Sequence, residues 1–97
     1  MNQDISLTAR PVANPRVVVQ QFDDELVVYD EEQALSLHLN TAAAIVWLHC
    51  DSATTVEALV DAVFALYPET PRARVEEDVR VALRELMSHG LIICDVS

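Results

Sequence analysis

Lysine is absent from this chain, and glycine occurs once, at Gly90. A single glycine excludes the phosphate-cradling loops G-x-x-x-x-G-K-[ST] and G-x-G-x-x-G, which need several glycines so that backbone can approach phosphate oxygens. Positive charge is scarce too: six arginines face sixteen acidic residues, for a net charge of −10. That balance repels nucleic-acid phosphates and anionic lipid alike, so neither is an expected partner. Long apolar runs are missing. The longest, Ala42 to Leu48, falls far short of the roughly 20 residues that cross a bilayer, and the Met-Asn-Gln-Asp start has neither the basic nor the apolar region of an export signal. Two cysteines, Cys50 and Cys94, are too few for a disulfide framework and lack the C-x-x-C spacing of zinc or redox sites. A soluble, cytoplasmic protein with reduced thiols is expected.

Catalytic groupings are equally thin. His38, His49 and His89 stand apart, with no H-x-x-x-H or H-E-x-x-H spacing, and Cys50 neighbours His49 only in sequence, since adjacent helical side chains diverge by about 100°. No metal, no cofactor and no catalytic residue is assigned. At 97 residues, 52% of them hydrophobic, the chain suits one small domain with a modest core.

What is present has a readable order. Residues 1–15 mix polar residues with Pro11 and Pro15 and show no period, so a flexible arm is expected there, followed by a single domain over 16–97. Val17, Val18, Val19 and Phe22 form a β-branched first strand that stops at Asp23-Asp24. Glu25 to Tyr29 follows at hairpin distance and ends at Asp30-Glu31-Glu32. Ala34 to Asn40 then alternates, with Leu35, Leu37 and Leu39 on one face.

After Asn40 the period becomes 3.6. Asn40 or Thr41 caps a short helix to Leu48, and Thr54-Thr55-Val56-Glu57 matches a capping box that opens a second helix ending at Pro68. Thr70-Pro71 opens a third helix, closed by Gly90, with a buried stripe of Val75, Val79, Ala82, Leu83 and Leu86 and a Glu76–Arg80 pair on its solvated face. Leu91 to Cys94 reads as a short, wing-like strand. The expected fold is α+β: a three-stranded antiparallel meander, three helices and a short C-terminal strand, resembling a winged helix-turn-helix.

Leu39-Asn40-Thr41-Ala42, Thr55-Val56-Glu57, Tyr67-Pro68, Asp78-Val79, Leu83, Leu86 and Gly90-Leu91 stand in the order and approximate spacing of the PqqD family. The chain resembles that family from about Val17 to Ile93. The resemblance implies a peptide-recognition element of ribosomal peptide natural-product pathways, holding a precursor's leader peptide for a maturation enzyme. A leader peptidase of lasso-peptide type is slightly preferred over a radical SAM enzyme. Two departures stand out. The family usually has Asp-Gly where Asp51-Ser52 stands, which puts a left-handed turn there in question. It commonly has an aromatic where Ala82 stands, which implies a roomier groove.

A three-stranded meander has two edges, and the third strand carries no lysine, proline or bulge to blunt one. Such an edge accepts an extended peptide as an added strand. Strand order does not follow from sequence; the resemblance implies that strand three lies at the edge, beside the third helix. On a helical wheel Asp78, Val81, Ala82 and Glu85 flank the core stripe, a small floor between two carboxylates. The expected peptide site is therefore Leu35, Ser36, Leu37, His38 and Leu39 with Asp78, Val81, Ala82 and Glu85. Its acidic rim calls for a leader with Lys or Arg near its apolar anchors. Two rival uses are weighed: the edge can pair two copies as a homodimer, and the architecture also suits a winged-helix DNA-binding regulator, with Arg72, Arg74, Arg80 and Arg84 on helix three. Glu76, Glu77, Asp78 and Glu85 on the same helix cancel those four charges, which disfavours groove reading.

Overall fold

A computed structural model of the chain describes residues 5–23 and 25–93. In chain order the elements are β1 (Val12–Ala13), β2 (Val18–Phe22), β3 (Glu25–Asp30), β4 (Leu35–Leu39), α1 (Thr41–Leu48), α2 (Val56–Leu66), α3 (Arg72–Ser88) and β5 (Ile92–Ile93). β2, β3 and β4 form an antiparallel meander in that spatial order, and β1 pairs with β5 in a separate two-stranded sheet. The expected α+β arrangement is therefore the one found.

Tight turns set the register of the meander. Phe22 pairs with Glu25 across a two-residue loop whose first member, Asp23, has φ +52°, the left-handed conformation that short hairpins need. Asp30 pairs with Leu35 across the next turn, where Ala34 lies at φ +49°. Ala34 belongs to that turn, so the third meander strand begins one residue later than its alternation suggests.

One face of the sheet carries the core. Leu26, Val28 and Leu39 are buried against Val46 and Trp47 of α1, Val56, Leu59, Val60 and Val63 of α2, and Val75, Val79, Ala82, Leu83 and Leu86 of α3. The helix caps differ in detail from the sequence reading. Asn40 caps α1 by accepting from the Ala43 amide at 2.8 Å. Thr55, rather than Thr54, caps α2 by accepting from Ala58, while Thr54 turns back to Asp51, whose carboxylate accepts from the Ala53 and Thr54 amides. The Thr54–Glu57 capping box therefore does not form: with Thr55 as the cap, the third helical residue is Ala58, which has no polar side chain to return the bond. α3 has Pro71 as its N-cap with no side-chain cap bond, so Thr70 does not serve. Its C-terminus closes as expected: Gly90 at φ +71° lets its own amide reach Met87 and the Leu91 amide reach Leu86.

The loose arm expected over residues 1–15 is corrected for residues 5–15; residues 1–4 lie outside those described. Ile5, Ala9 and Pro11 are buried. The carbonyls of Leu7 and Ala9 accept from the Glu57 and Val56 amides at the start of α2, and Val12–Ala13 pairs with β5. Scattered apolar residues with no period give no local signal of this, because the partners in α2 and β5 are distant in sequence. Arg80 is drawn into the same packing: its guanidinium bonds Glu76 and the Ile5 carbonyl and is only 16% exposed, so the Glu76–Arg80 pair is not on a solvated face.

Ser52 adopts φ +66° and donates its amide to Pro11. The left-handed turn is kept without the glycine, at a cost of about 1–2 kcal/mol. Ser52→Gly is expected to raise stability by about 0.5–1 kcal/mol after glycine's own entropy is counted, and Ser52→Val to lower it, both read as shifts in urea unfolding midpoint.

Candidate functional site

β4 has β3 on one side and, among the described residues, no strand on the other. Its outer row of amides and carbonyls is an open edge. Leu35 and Leu37 are half-buried and Leu39 buried on the core face, while Ser36 and His38 are exposed on the opposite face. His38 Nδ1 lies 2.9 Å from Glu25 Oε1 across the sheet.

Where β4 ends, a groove of about 250 Å³ opens, lined by Asn40, Ala42 and Ala43 from the first turn of α1 and by Asp78, Val81, Ala82 and Glu85 from α3. The four α3 residues named from the helical wheel all line it. Ala43 and Ala82 are nearly buried and make a floor, whereas Val81 is 52% exposed and stands clear of the core. Leu35, Ser36, Leu37, His38 and Leu39 do not line this groove; they contribute the adjacent edge. Asn40, Ala42 and Ala43 escaped the sequence reading, although an alanine run directly after a strand is a signal of space beside it. A second depression of about 300 Å³ shares Asn40, Ala42 and Asp78 and continues towards Thr41, Val63, Tyr67 and Val75.

The groove is acidic. Asp78 lies 3.5 Å from Arg74, and the Glu85 carboxylate has no ion-pair partner among the described residues. The four arginines of α3 are all engaged: Arg72 with Asp61, Arg74 with Asp78, Arg80 with Glu76 and Arg84 with Glu77. A helix that reads nucleic acid needs cations directed at phosphates, and these are directed at carboxylates.

A charged network centred on one buried carboxylate fixes the turn that launches β4. Asp30 is fully buried, and its carboxylate accepts from Arg16 Nε and Nη2 at 3.1–3.2 Å, from the Glu32 amide at 3.1 Å and from Gln33 Nε2 at 2.6 Å. Gln33 Nε2 also reaches the His89 carbonyl at 2.8 Å, tying the turn to the end of α3. The strand edge and the helix flank are thereby held to one another at the end remote from the groove. Hydrogen bonds from Arg16 and then Gln33 hold the Asp30 carboxyl below its ordinary value, against the opposing effect of burial.

The other polar candidates of the sequence are internally satisfied. His49 Nδ1 lies 2.8 Å from the Ile45 carbonyl, and the Cys50 thiol is buried and donates to Val46. Cys94 lies outside the described residues. Among the described residues no cluster of His, Cys, Asp and Glu has the makings of a metal site, and no helix is long and apolar enough to cross a membrane.

The family described as Coenzyme PQQ synthesis protein D (PqqD) matches residues 25–92. Among solved structures, the chain is similar to TbiB1 in complex with the TbiA(β) leader peptide, at 28% identity and a TM-score of 0.74, over 84% of this chain and 93% of that one. It also shares the fold of a lasso peptide synthetase B1 complexed with the leader peptide, at 20% identity and a TM-score of 0.76, over 87% and 98% of the two chains. None of the curated proteins matches it.

Because its folded-state pKa is depressed, Asp30 stabilises the fold above the ordinary carboxyl value near 4, and that contribution is lost as pH falls through the lower folded value. Asp30→Asn is expected to lower the thermal midpoint at neutral pH. The gap from the parent chain should close as the pH drops below about 4, read by circular dichroism melts across an acid series.

Proposed function

This chain belongs to the PqqD family, and we propose that it is a non-catalytic adaptor that holds the leader segment of a ribosomally made precursor peptide for a maturation enzyme. The carrying observation is the vacant β4 edge running into an acidic, alanine-floored groove on α3. Leader-peptide complexes in two chains of this fold support the same reading. As the maturation enzyme we prefer a leader peptidase of lasso-peptide type to a radical SAM enzyme.

The leader adds as a strand along Leu35–Leu39, its amides and carbonyls completing the edge. Ser36 and His38 contribute through their backbone; their side chains lie on the face away from the core. Four or five such hydrogen bonds give about 1 kcal/mol each net, whereas ordering a disordered segment costs roughly 2–5 kcal/mol. Backbone pairing alone therefore barely holds. One or two large apolar side chains set on the Ala43–Ala82 floor against Val81 add roughly 1.5–3 kcal/mol each, bringing micromolar affinity within reach. β2 offers an edge too, but the two grooves described lie at the end of β4. Asp78 and Glu85 favour a leader with Lys or Arg beside its apolar anchors, and attraction of this kind weakens with added salt.

Fluorescence polarisation of labelled candidate leader peptides, with Lys or Arg beside bulky apolar residues, tests the reading. Saturable binding that weakens with salt is expected, and duplex DNA at the same ionic strength should not bind. Val81→Asp should keep the fold, since Val81 is exposed, and weaken leader binding about tenfold or more, the equivalent of one lost apolar contact. Binding of DNA in place of the leader, or unchanged affinity in the variant, contradicts it.

A further inference from the structure

Rows of side chains run across the outward face of the meander, and one row ends at the vacant edge. Gln20 pairs with Val27, and Val27 with His38. Val27 faces away from the core cluster yet is only 8% exposed, so side chains on this face cover their neighbours in the row. Among the described residues no strand lies beyond β4, and the His38 side chain is 72% exposed. A peptide added along β4 sets one of its own residues in the next place of that row, beside His38.

The chemistry of the vacant place is set from the other side of His38. Its Nδ1 lies 2.9 Å from Glu25 Oε1 on β3. A carboxylate only accepts, so in the neutral ring Nδ1 carries the proton and Nε2 is left as an acceptor. The two nitrogens stand on different sides of the imidazole, and a ring whose Nδ1 is drawn towards β3 turns its Nε2 away from β3. An acceptor placed there is matched by a side chain that donates. A carboxylate in the same place meets a lone pair, with the Glu25 charge behind it, and pairs with neither.

We infer that His38, with its tautomer fixed by Glu25 as a positioning residue, selects leaders by the outward residue that lies beside it. A hydroxyl, amide or cationic side chain, each a hydrogen-bond donor, is preferred there to an aliphatic one, and a carboxylate is rejected. The inference rests on the leader-binding reading and deepens it. Strand addition through the backbone is indifferent to sequence, and the groove reads only apolar side chains on the core side. His38 adds a polar reading on the opposite face. Because strand side chains alternate, the donor it reads is next in the leader sequence to residues that face the core side.

The probe is the candidate leader peptide that binds the parent chain best by polarisation, remade at each position in turn with Thr, Val, Asp or O-methylthreonine. Titrations are run at about pH 8.5, well above the ordinary imidazole value of about 6.5. At one position Thr should bind about two- to fivefold more tightly than isosteric Val, the range of a cross-strand pair, with Asp weakest. O-methylthreonine, which accepts but cannot donate, should bind there no better than Val. His38→Leu, a change at an exposed side chain, should equalise Thr and Val at that position and leave the ranking at other positions as it was. Glu25→Gln, whose amide lets the ring take either tautomer, should raise O-methylthreonine above Val, a change between two uncharged peptides that loss of the Glu25 charge alone does not produce. No position with a Thr preference, or a preference that survives His38→Leu, overturns the inference. So does O-methylthreonine or Asp bound more tightly than Val by the parent chain at that position, because Nε2 then donates. Failure of every candidate peptide to bind the parent chain removes the reading beneath it and the inference together.

Discussion

Backbone amides and carbonyls at the border of a sheet must find partners, in water or in another chain, and natural folds usually disable such borders with lysine, proline, bulges or a covering segment. Here the meander stops at β4 with, among the described residues, none of these on its outer side. The rest of the molecule is arranged around that incomplete border. α1 and α3 close over the inner face of the sheet but leave a groove where the strand ends, because alanines stand at Ala42, Ala43 and Ala82 in place of larger side chains. An open border beside a shaped void favours an extended peptide with bulky side chains over water alone.

Holding the border open requires the rest of the fold to be firm. Arg16 and Gln33 donate to the buried Asp30 carboxylate in charge-assisted hydrogen bonds that brace the turn before β4, and the same Gln33 amide reaches the His89 carbonyl at the end of α3. At the opposite end of the chain, the N-terminal segment threads between the start of α2 and β5, spending its own strand pairing on β5 and leaving β4 untouched. Val12–Ala13 and Ile92–Ile93 are thus consumed in a second, smaller sheet, and among the described residues no strand pairs with the outer border of β4.

Much of this was legible in the residues. Leu35, Leu37 and Leu39 at alternate positions, followed by the change to a helical period after Asn40, announce the strand-to-helix junction on which the groove sits. The α3 stripe from Val75 to Leu86 is buried as its spacing requires, and Val81 is outside it. The parts not legible are those whose cause is distant in sequence. Nothing local marks Ile5 or Ala9 as core, since their partners belong to α2 and α3. The α1 wall of the groove needed the packing of α1 on α3. Ser52 keeps a glycine-like conformation because its amide is held by Pro11, an interaction made by a segment that itself shows no period. Where two threonines adjoin, as at Thr54 and Thr55, either can cap, and the choice is made by Asp51 claiming the first.

The most direct measurement is amide hydrogen exchange along the meander, with and without the precursor's leader. The outward amides of Leu35–Leu39 should exchange quickly in the free chain and slow on leader addition, while those of Val18–Phe22 remain unchanged. Amides of β4 that are already protected in the free chain, or that stay fast at saturating leader, would contradict the account.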